Sequence, residues 1–194
     1  ITWATFGLGY LAIIGFPGLS GYWTKDGIIE AAMHHSPVLG WTAVIGAGIT
    51  GFYMSRVMFM TFFGKSRWAP EAHPHESPAV MTWPLILLAV GSVALGAFLI
   101  WNNRFYEFLI PAVGAPAEAP EFHPFSVPGL TTLALVALGA VYAWLKYGRA
   151  EVPEVAPQGS FLTTFARRDL YGDAVNEALF MRPGQWLTRL AVWF

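Results

Sequence analysis

Long apolar runs broken at short polar intervals dominate the pattern along this chain. A helix needs roughly 20 consecutive apolar residues to cross a hydrocarbon layer about 30 Å thick. Three stretches meet that length: Trp41 to Phe63, Val80 to Trp101 and Pro128 to Leu145. Arg56 is the one charge inside them, and Lys146 and Arg149 follow the last. Trp41, Trp83, Trp101, Tyr142 and Trp144 lie near the ends of these runs, where amphipathic rings favour the headgroup level.

The first apolar segment differs. Trp3 to Ile14 runs into Gly15-Phe16-Pro17-Gly18-Leu19-Ser20-Gly21, and a second half follows over Tyr22 to Met33. Pro17 removes a backbone donor and crowds the preceding turn, and Gly15, Gly18 and Gly21 weaken helix continuity, so the pattern predicts a broken helix. Unwound backbone at membrane depth needs protein or a wet cavity to satisfy its polar groups, which turns this segment towards other helices and away from lipid.

The predicted organisation is all-α and membrane-integral, a bundle of about four transmembrane helices of which one is broken. A broken helix spans 1–35 and a second helix 37–64, and a Pro-rich loop covers 65–79. Helices follow at 80–101 and 126–148, separated by a loop at 102–125, and a linker occupies 149–167. The start of an amphipathic helix covers 168–194. In that last stretch Leu170, Ala174, Ala178, Met181, Leu187, Leu190 and Ala191 recur at helical spacing, which predicts a helix lying on the membrane surface with a bend or restart at Pro183. Lys65 and Arg67, with Lys146 and Arg149, fall on one side if the spans alternate, and the positive-inside rule makes that side cytoplasmic. Arg104 stands alone on the other side, with Glu107, Glu118 and Glu121 in the extracytoplasmic loop. The chain opens at Ile1-Thr2-Trp3 without an initiator Met or a signal peptide and stops inside an amphipathic pattern, so both ends are expected to be cut from something longer.

Composition narrows the chemistry. Hydrophobic residues make up 55% and charged residues 12%, about half the charged share of a soluble domain. A net charge of −1 offers no basic face for nucleic acid. With no cysteine, disulfides, thiolate metal sites and thiol nucleophiles are excluded. His73, His75 and Glu76 are too few for a structural metal site, and no metal is expected. Asp169, Asp173 and Glu177 read as a solvated helix face.

Lys25-Asp26, inside the broken segment, is the principal candidate for function, because an ionisable group within a span is costly and by default faces a cavity or a partner. On a helix over Tyr22 to Met33, Asp26 and Glu30 stand one turn apart, Lys25 borders that face, and His34 extends it by another turn. Desolvation lowers and a neighbouring carboxylate raises the proton affinity of an amine, so a moving counter-charge loads and unloads it, which is what a proton relay requires. The plain alternative is a helix end at the interface, with Lys25 snorkelling to the headgroups. Arg56 reads as an interfacial or packing residue and only secondarily as a relay member.

The run Gly15-Phe16-Pro17-Gly18-Leu19-Ser20-Gly21-Tyr22-Trp23-Thr24-Lys25-Asp26 resembles the broken helix of the antiporter-like subunit L family of respiratory complex I, NADH-quinone oxidoreductase. Phe52-Tyr53-Met54-Ser55-Arg56 with Phe62-Phe63-Gly64, and His75-Glu76-Ser77-Pro78 with Met81 and Pro84, agree in order. Leu170-Tyr171 with Leu179-Phe180-Met181-Arg182-Pro183 is similar to the start of that family's long lateral helix. Thr24 stands where many relatives have Ser.

The resemblance implies a C-terminal fragment of a proton-translocating membrane-arm subunit, in a bacterial plasma membrane or mitochondrial inner membrane. Lys25 would lie at the extracytoplasmic end of the proton path, with Asp26 and Glu30 as further proton-transfer candidates. Other membrane-arm subunits, above all the adjacent antiporter-like subunit through the lateral helix, and the lipid bilayer are the implied partners. No cofactor is expected in this chain: NADH, FMN, iron-sulfur clusters and quinone belong to other subunits. Subunits of multisubunit cation/proton antiporters share a similar broken helix, and a structural membrane anchor is the third reading.

Overall fold

The computed structural model describes residues 1–69, 71–114, 126–153, 155 and 158–193, with the side chains of Asn102, Tyr106, Val113 and Trp193 left aside. The chain forms two units, 1–152 and 153–194, taken separately below. Helices make up both units, and there is no strand among the described residues.

In the first unit α1 (Thr2–Ile14) and α2 (Ser20–His35) flank the break. They are followed by α3 (Pro37–Phe62), α4 (Ala79–Ile100), α5 (Arg104–Val113) and α6 (Val127–Ala143). A wide turn over Trp144–Gly148, closed by the Arg149 N–H on the Trp144 carbonyl, prolongs α6. Among the described residues three helices are long and apolar enough to cross a membrane: Pro37–Phe62, Ala79–Ile100 and Val127–Gly148. Only 11% of the α4 window and 28% of the α3 window are buried, so most of their apolar surface faces outward and requires lipid or further protein to cover it. This is an all-α membrane protein.

Neither α1 nor α2 reaches the length of a span alone. Their 13 and 16 residues rise about 20 and 24 Å, and together they traverse a hydrocarbon layer. Contacts between ends fix the alternation. Trp3 packs edge-on against Phe63 at 6.5 Å, the Thr2 hydroxyl donates to Glu76 at 2.9 Å, and Lys65 pairs with Glu151. The start of α1, the end of α3, the start of α4 and the end of α6 therefore share one end of the bundle.

The α3–α6 seam is the most extensive helix pair. Gly40, Val44, Ala47, Gly51, Ser55 and Met58 form the buried stripe of α3, spaced by three and four, and Gly129, Thr132, Val136 and Ala143 that of α6. A Cβ on Gly139 would sit 2.6 Å from the Gly48 carbonyl oxygen, and one on Gly51 2.8 Å from that of Val136. Backbone lies directly on backbone, the arrangement that small residues permit where lipid supplies no hydrophobic drive between helices. Ile14, Ile29, Val44, Ala47 and Val136 make the apolar core, with Tyr10 packed against it. The Tyr10 hydroxyl meets Ser55 Oγ at 2.9 Å, and Ser55 Oγ donates back to the Gly51 carbonyl at 2.6 Å, tying α1 to α3.

Two stretches expected to lack regular structure contain helices. Within 102–125, α5 begins after Asn103 in the left-handed region (φ 56°), with Arg104 stacked 4.6 Å over the Phe98 ring. Its apolar and charged residues segregate onto opposite sides, a pattern that prolines at 111 and beyond conceal in the sequence. Glu118 and Glu121 lie outside the described residues. Within 149–167, α7 covers Phe161–Arg167.

In the second unit α7 is followed by Asp169, Leu170 and Tyr171 with φ of 51°, 55° and 59°, so the helix expected from 168 onwards is interrupted there. Left-handed residues do not propagate a right-handed helix. It resumes as α8 (Gly172–Asn176), passes through a wide turn at Glu177–Met181 closed by the Arg182 N–H on the Glu177 carbonyl, and continues as α9 (Arg182–Trp193). The restart expected at Pro183 takes this form: the widened turn just before it relieves the crowding of the proline ring on the preceding carbonyls. The extra residue also brings Arg182 and Glu177, five apart, into an ion pair at 3.2 Å.

Gly51→Leu should force the α3–α6 backbones apart. The expected cost is about 1–3 kcal/mol, as for overpacked cores, seen as less assembled subunit on native gels. Gly46→Leu, on a face with nothing within 4 Å of a Cβ, should leave assembly unchanged.

Candidate functional site

The break is built from two standard turns laid end to end. Gly15, at φ 80°, closes α1 in a Schellman motif: its N–H donates to Ala12 at 3.0 Å and the Phe16 N–H to Leu11 at 2.9 Å. A type II turn follows, with Pro17 in its second position, Gly18 at φ 89° in its third, and the Leu19 N–H returning to Phe16 at 3.2 Å. The local sequence specifies both, since only glycine takes those two positive angles without strain. Four residues thus offset the chain enough for α2 to start beside the last turn of α1 and continue in the same overall direction. Gly21 lies so close to Ala12 that a Cβ would fall 1.8 Å from its carbonyl oxygen.

Lys25 is aimed by this geometry. Helical side chains tilt towards their own N-terminus, and the Lys25 stem runs back over the break, its Cδ 3.4 Å from where a Gly15 Cβ would stand. The Nζ atom is buried and has no hydrogen-bond partner among the described residues. Lys25 is one turn from Ile29, which is 3% exposed, and two turns from Met33, whose side chain packs on Gly40. The stripe Gly21, Lys25, Ile29, Met33 therefore faces the bundle interior. Its Cα is ten residues from the α2 end at His35, about 15 Å along the axis, and the amine points further inward. A snorkelling lysine points the opposite way.

The structure brings Lys25 together with Gly15 and Gly21, while Pro17 and Gly18 shape the turn from its exposed side. Asp26 and Glu30 form the neighbouring stripe, one turn apart and half-buried, and His34 at the far end of α2 is exposed. Arg56 is exposed near the other end of the bundle, 5.4 Å over the Tyr147 ring, away from the break. Among the described residues no cluster of three or more His, Asp or Glu forms a metal site, and His75 Nδ1 contacts the Glu76 carbonyl instead.

The carbonyl end of α1 carries the negative pole of its macrodipole, and the lysine stem lies beside that end. Interrupted helices at ion-handling sites supply such poles in the middle of a membrane. Ser20, which the sequence did not single out, completes the arrangement. Its Oγ donates to the Gly91 carbonyl at 2.7 Å and accepts the Gly96 N–H at 2.8 Å, fastening the first residue of α2 onto α4.

No protein-family model matches the chain. NADH-quinone oxidoreductase subunit L of Mycobacterium tuberculosis is 53% identical over 197 residues, covering 99% of this chain and 31% of that protein. NAD(P)H-quinone oxidoreductase chain 5 of Picosynechococcus is 33% identical, covering 97% of the chain and 32% of its relative. Subunit L of Neisseria meningitidis is 36% identical over 76% of the chain. The chain is a fragment of the subunit L family. It spans about a third of the length of the curated relatives it matches. Nearly all of this chain lies within the region matched to the Mycobacterium relative.

Gly15→Ala should strain the left-handed cap by about 1–2 kcal/mol and lower the amount of subunit recovered in membranes. Gly27→Ala, inside α2 with open space around its Cβ, should instead stabilise the helix by about 0.5–1 kcal/mol and leave recovery unchanged or higher. Equal recovery of the two variants would contradict the assigned roles.

Proposed function

We propose that this chain is part of a proton-translocating membrane-arm subunit of an NADH-quinone oxidoreductase, in which Lys25 passes protons through the interrupted span. The observation that carries this reading is the Lys25 amine, buried without a hydrogen-bond partner among the described residues and folded back over the break. Such a group has no purely structural use in a membrane, where an unsatisfied charge is expensive. Its charge state depends on which counter-charge stands nearby, so displacement of a neighbouring carboxylate or of a proton on an adjoining subunit segment drives loading and release. Asp26 and Glu30 flank that path on the next stripe and serve as its acceptors or counter-charges. Their order along α2 leads from the break towards the His35 end.

Orientation follows from the positive-inside rule. Lys65, Arg67, Lys146 and Arg149 all belong to the end of the bundle shared by α3 and α6, which we assign to the cytoplasmic side. The α2 half of the broken span then opens to the extracytoplasmic side, and Lys25 delivers protons in that direction. NADH oxidation, flavin and iron-sulfur chemistry and quinone reduction take place in other subunits, and this one responds to them through charge and conformation. Neighbouring membrane-arm subunits are its partners, engaged in part by the amphipathic α9, and it resides in an energy-transducing membrane. The names of the matched relatives, which are quinone oxidoreductase subunits, favour this over a cation/proton antiporter.

In the complete subunit within the assembled complex, Lys25→Ala should slow proton transfer through this path by roughly 100-fold or more, the scale of removing a general acid-base group. Proton release per NADH oxidised, measured in sealed vesicles, should fall while assembly is retained. Asp26→Asn and Glu30→Gln should produce smaller reductions. Wild-type pumping by an assembled Lys25→Ala complex would remove the lysine from the path.

A further inference from the structure

We infer that Ser20 is a positioning residue that ties the depth of Lys25 to α4, so that movement of α4 is transmitted to the lysine. This rests on the reading of Lys25 as a proton carrier and adds the element that sets its position.

Serine at the start of a helix ordinarily turns its hydroxyl inward to cap its own free amides. Here it does not. Leu19 is the capping residue of α2, with extended backbone and no side-chain cap, and the Ser20 hydroxyl is committed across the helix interface. It accepts from the Gly96 N–H at 2.8 Å and donates to the Gly91 carbonyl at 2.7 Å. Both partners are backbone groups of one helix, five residues apart, so the hydroxyl is keyed to a single axial level of α4. A slide of α2 by one residue along α4 is a displacement of about 1.5 Å and breaks both bonds.

Close approach enforces the same register independently. A Cβ on Gly96 would fall 2.5 Å from the Ser20 Cα and 2.6 Å from its carbonyl oxygen, so the backbones touch only because residue 96 is glycine. Ser20 is five residues before Lys25, on the first turns of α2, and the Gly15–Leu19 turn joins it to α1 on its other side. Whatever moves α4 therefore carries α2 and its lysine with it, while the turn absorbs the change in dihedral angles. At hydrocarbon depth no water competes for these bonds, and the register is held more firmly than at a surface.

The test uses the complete subunit in the assembled complex, reading proton release per NADH oxidised and its pH profile in sealed vesicles. Ser20→Ala loses both bonds and Gly96→Ala forces the backbones apart while retaining the hydroxyl. Each should slow coupled proton release by roughly tenfold, the scale of two neutral hydrogen bonds, and displace the pH profile from that of wild type. Gly91→Ala, whose Cβ meets nothing within 4 Å and whose carbonyl is kept, should behave as wild type. If Ser20→Ala does not assemble, Ser20→Cys, similar in size with a weaker donor and acceptor, should give an intermediate defect. Pumping and pH profile unchanged in Ser20→Ala, or in Ser20→Cys where that is the variant available, would overturn the inference while a defective Lys25→Ala leaves the carrier reading intact. An unaffected Lys25→Ala would overturn the carrier reading itself.

Discussion

A helix that stops inside a hydrocarbon layer exposes amides and carbonyls that no solvent will satisfy, and each costs several kcal/mol if left alone. Everything around Lys25 answers that constraint. The Schellman closure at Gly15 returns two amides to α1, the Pro17-Gly18 turn returns a third, and the Tyr22 N–H reaches the Leu19 carbonyl at 3.1 Å. Neighbouring helices close on the break at van der Waals contact, through Gly21 against Ala12 and Ser20 against α4. Four amides of the break are paired in this way, beside the one ionisable side chain held at its edge.

Much of this was legible in the chain. Two glycines set around a Phe-Pro step specify positive dihedral angles and a type II turn without any tertiary information, because no other residue adopts those angles cheaply. Predominantly apolar helices of 22 and 26 residues announce themselves by length alone. The direction of Lys25 was less accessible. Its membership of the Ile29–Met33 stripe is implicit in helical spacing, yet its charge associates it with Asp26 and Glu30, whose face it borders. Which stripe faces inward is decided by partners, and those lie on α1, α3 and α4. Ser20 belongs to the Gly-Pro motif, but nothing local connects it to glycines more than 70 residues away.

Helix pairing in this bundle rests on small residues and not on large apolar ones. In water, Val, Leu and Phe drive association, and exposed glycines are incidental. In lipid the large side chains find equally good contacts outside, and association depends on how closely backbones approach. The α3–α6 seam follows that logic through Gly48, Gly51 and Gly139, while Ile45, Ile49, Leu138 and Val141 stay exposed. A pattern search weighted by hydrophobicity marks the second set and passes over the first. The length of the spans was therefore easier to derive than their neighbours.

The second unit obeys a different rule, since its helices bury almost nothing within the unit and its large apolar residues are exposed. Phe180, Trp186, Leu187 and Leu190 are more than two-fifths exposed, and Arg182 and Arg189 interrupt them along the chain. A segment of this kind gains nothing from folding alone, because helix nucleation is unfavourable and its apolar face has no partner within the unit. Its wide turn before Pro183 shows how the helix is kept going regardless: one added residue lets the proline ring clear the previous turn, and the Glu177–Arg182 ion pair spans the extra residue. The helix thus continues past Pro183 with its large apolar residues exposed, and this is the observation that supports the proposed docking role of α9.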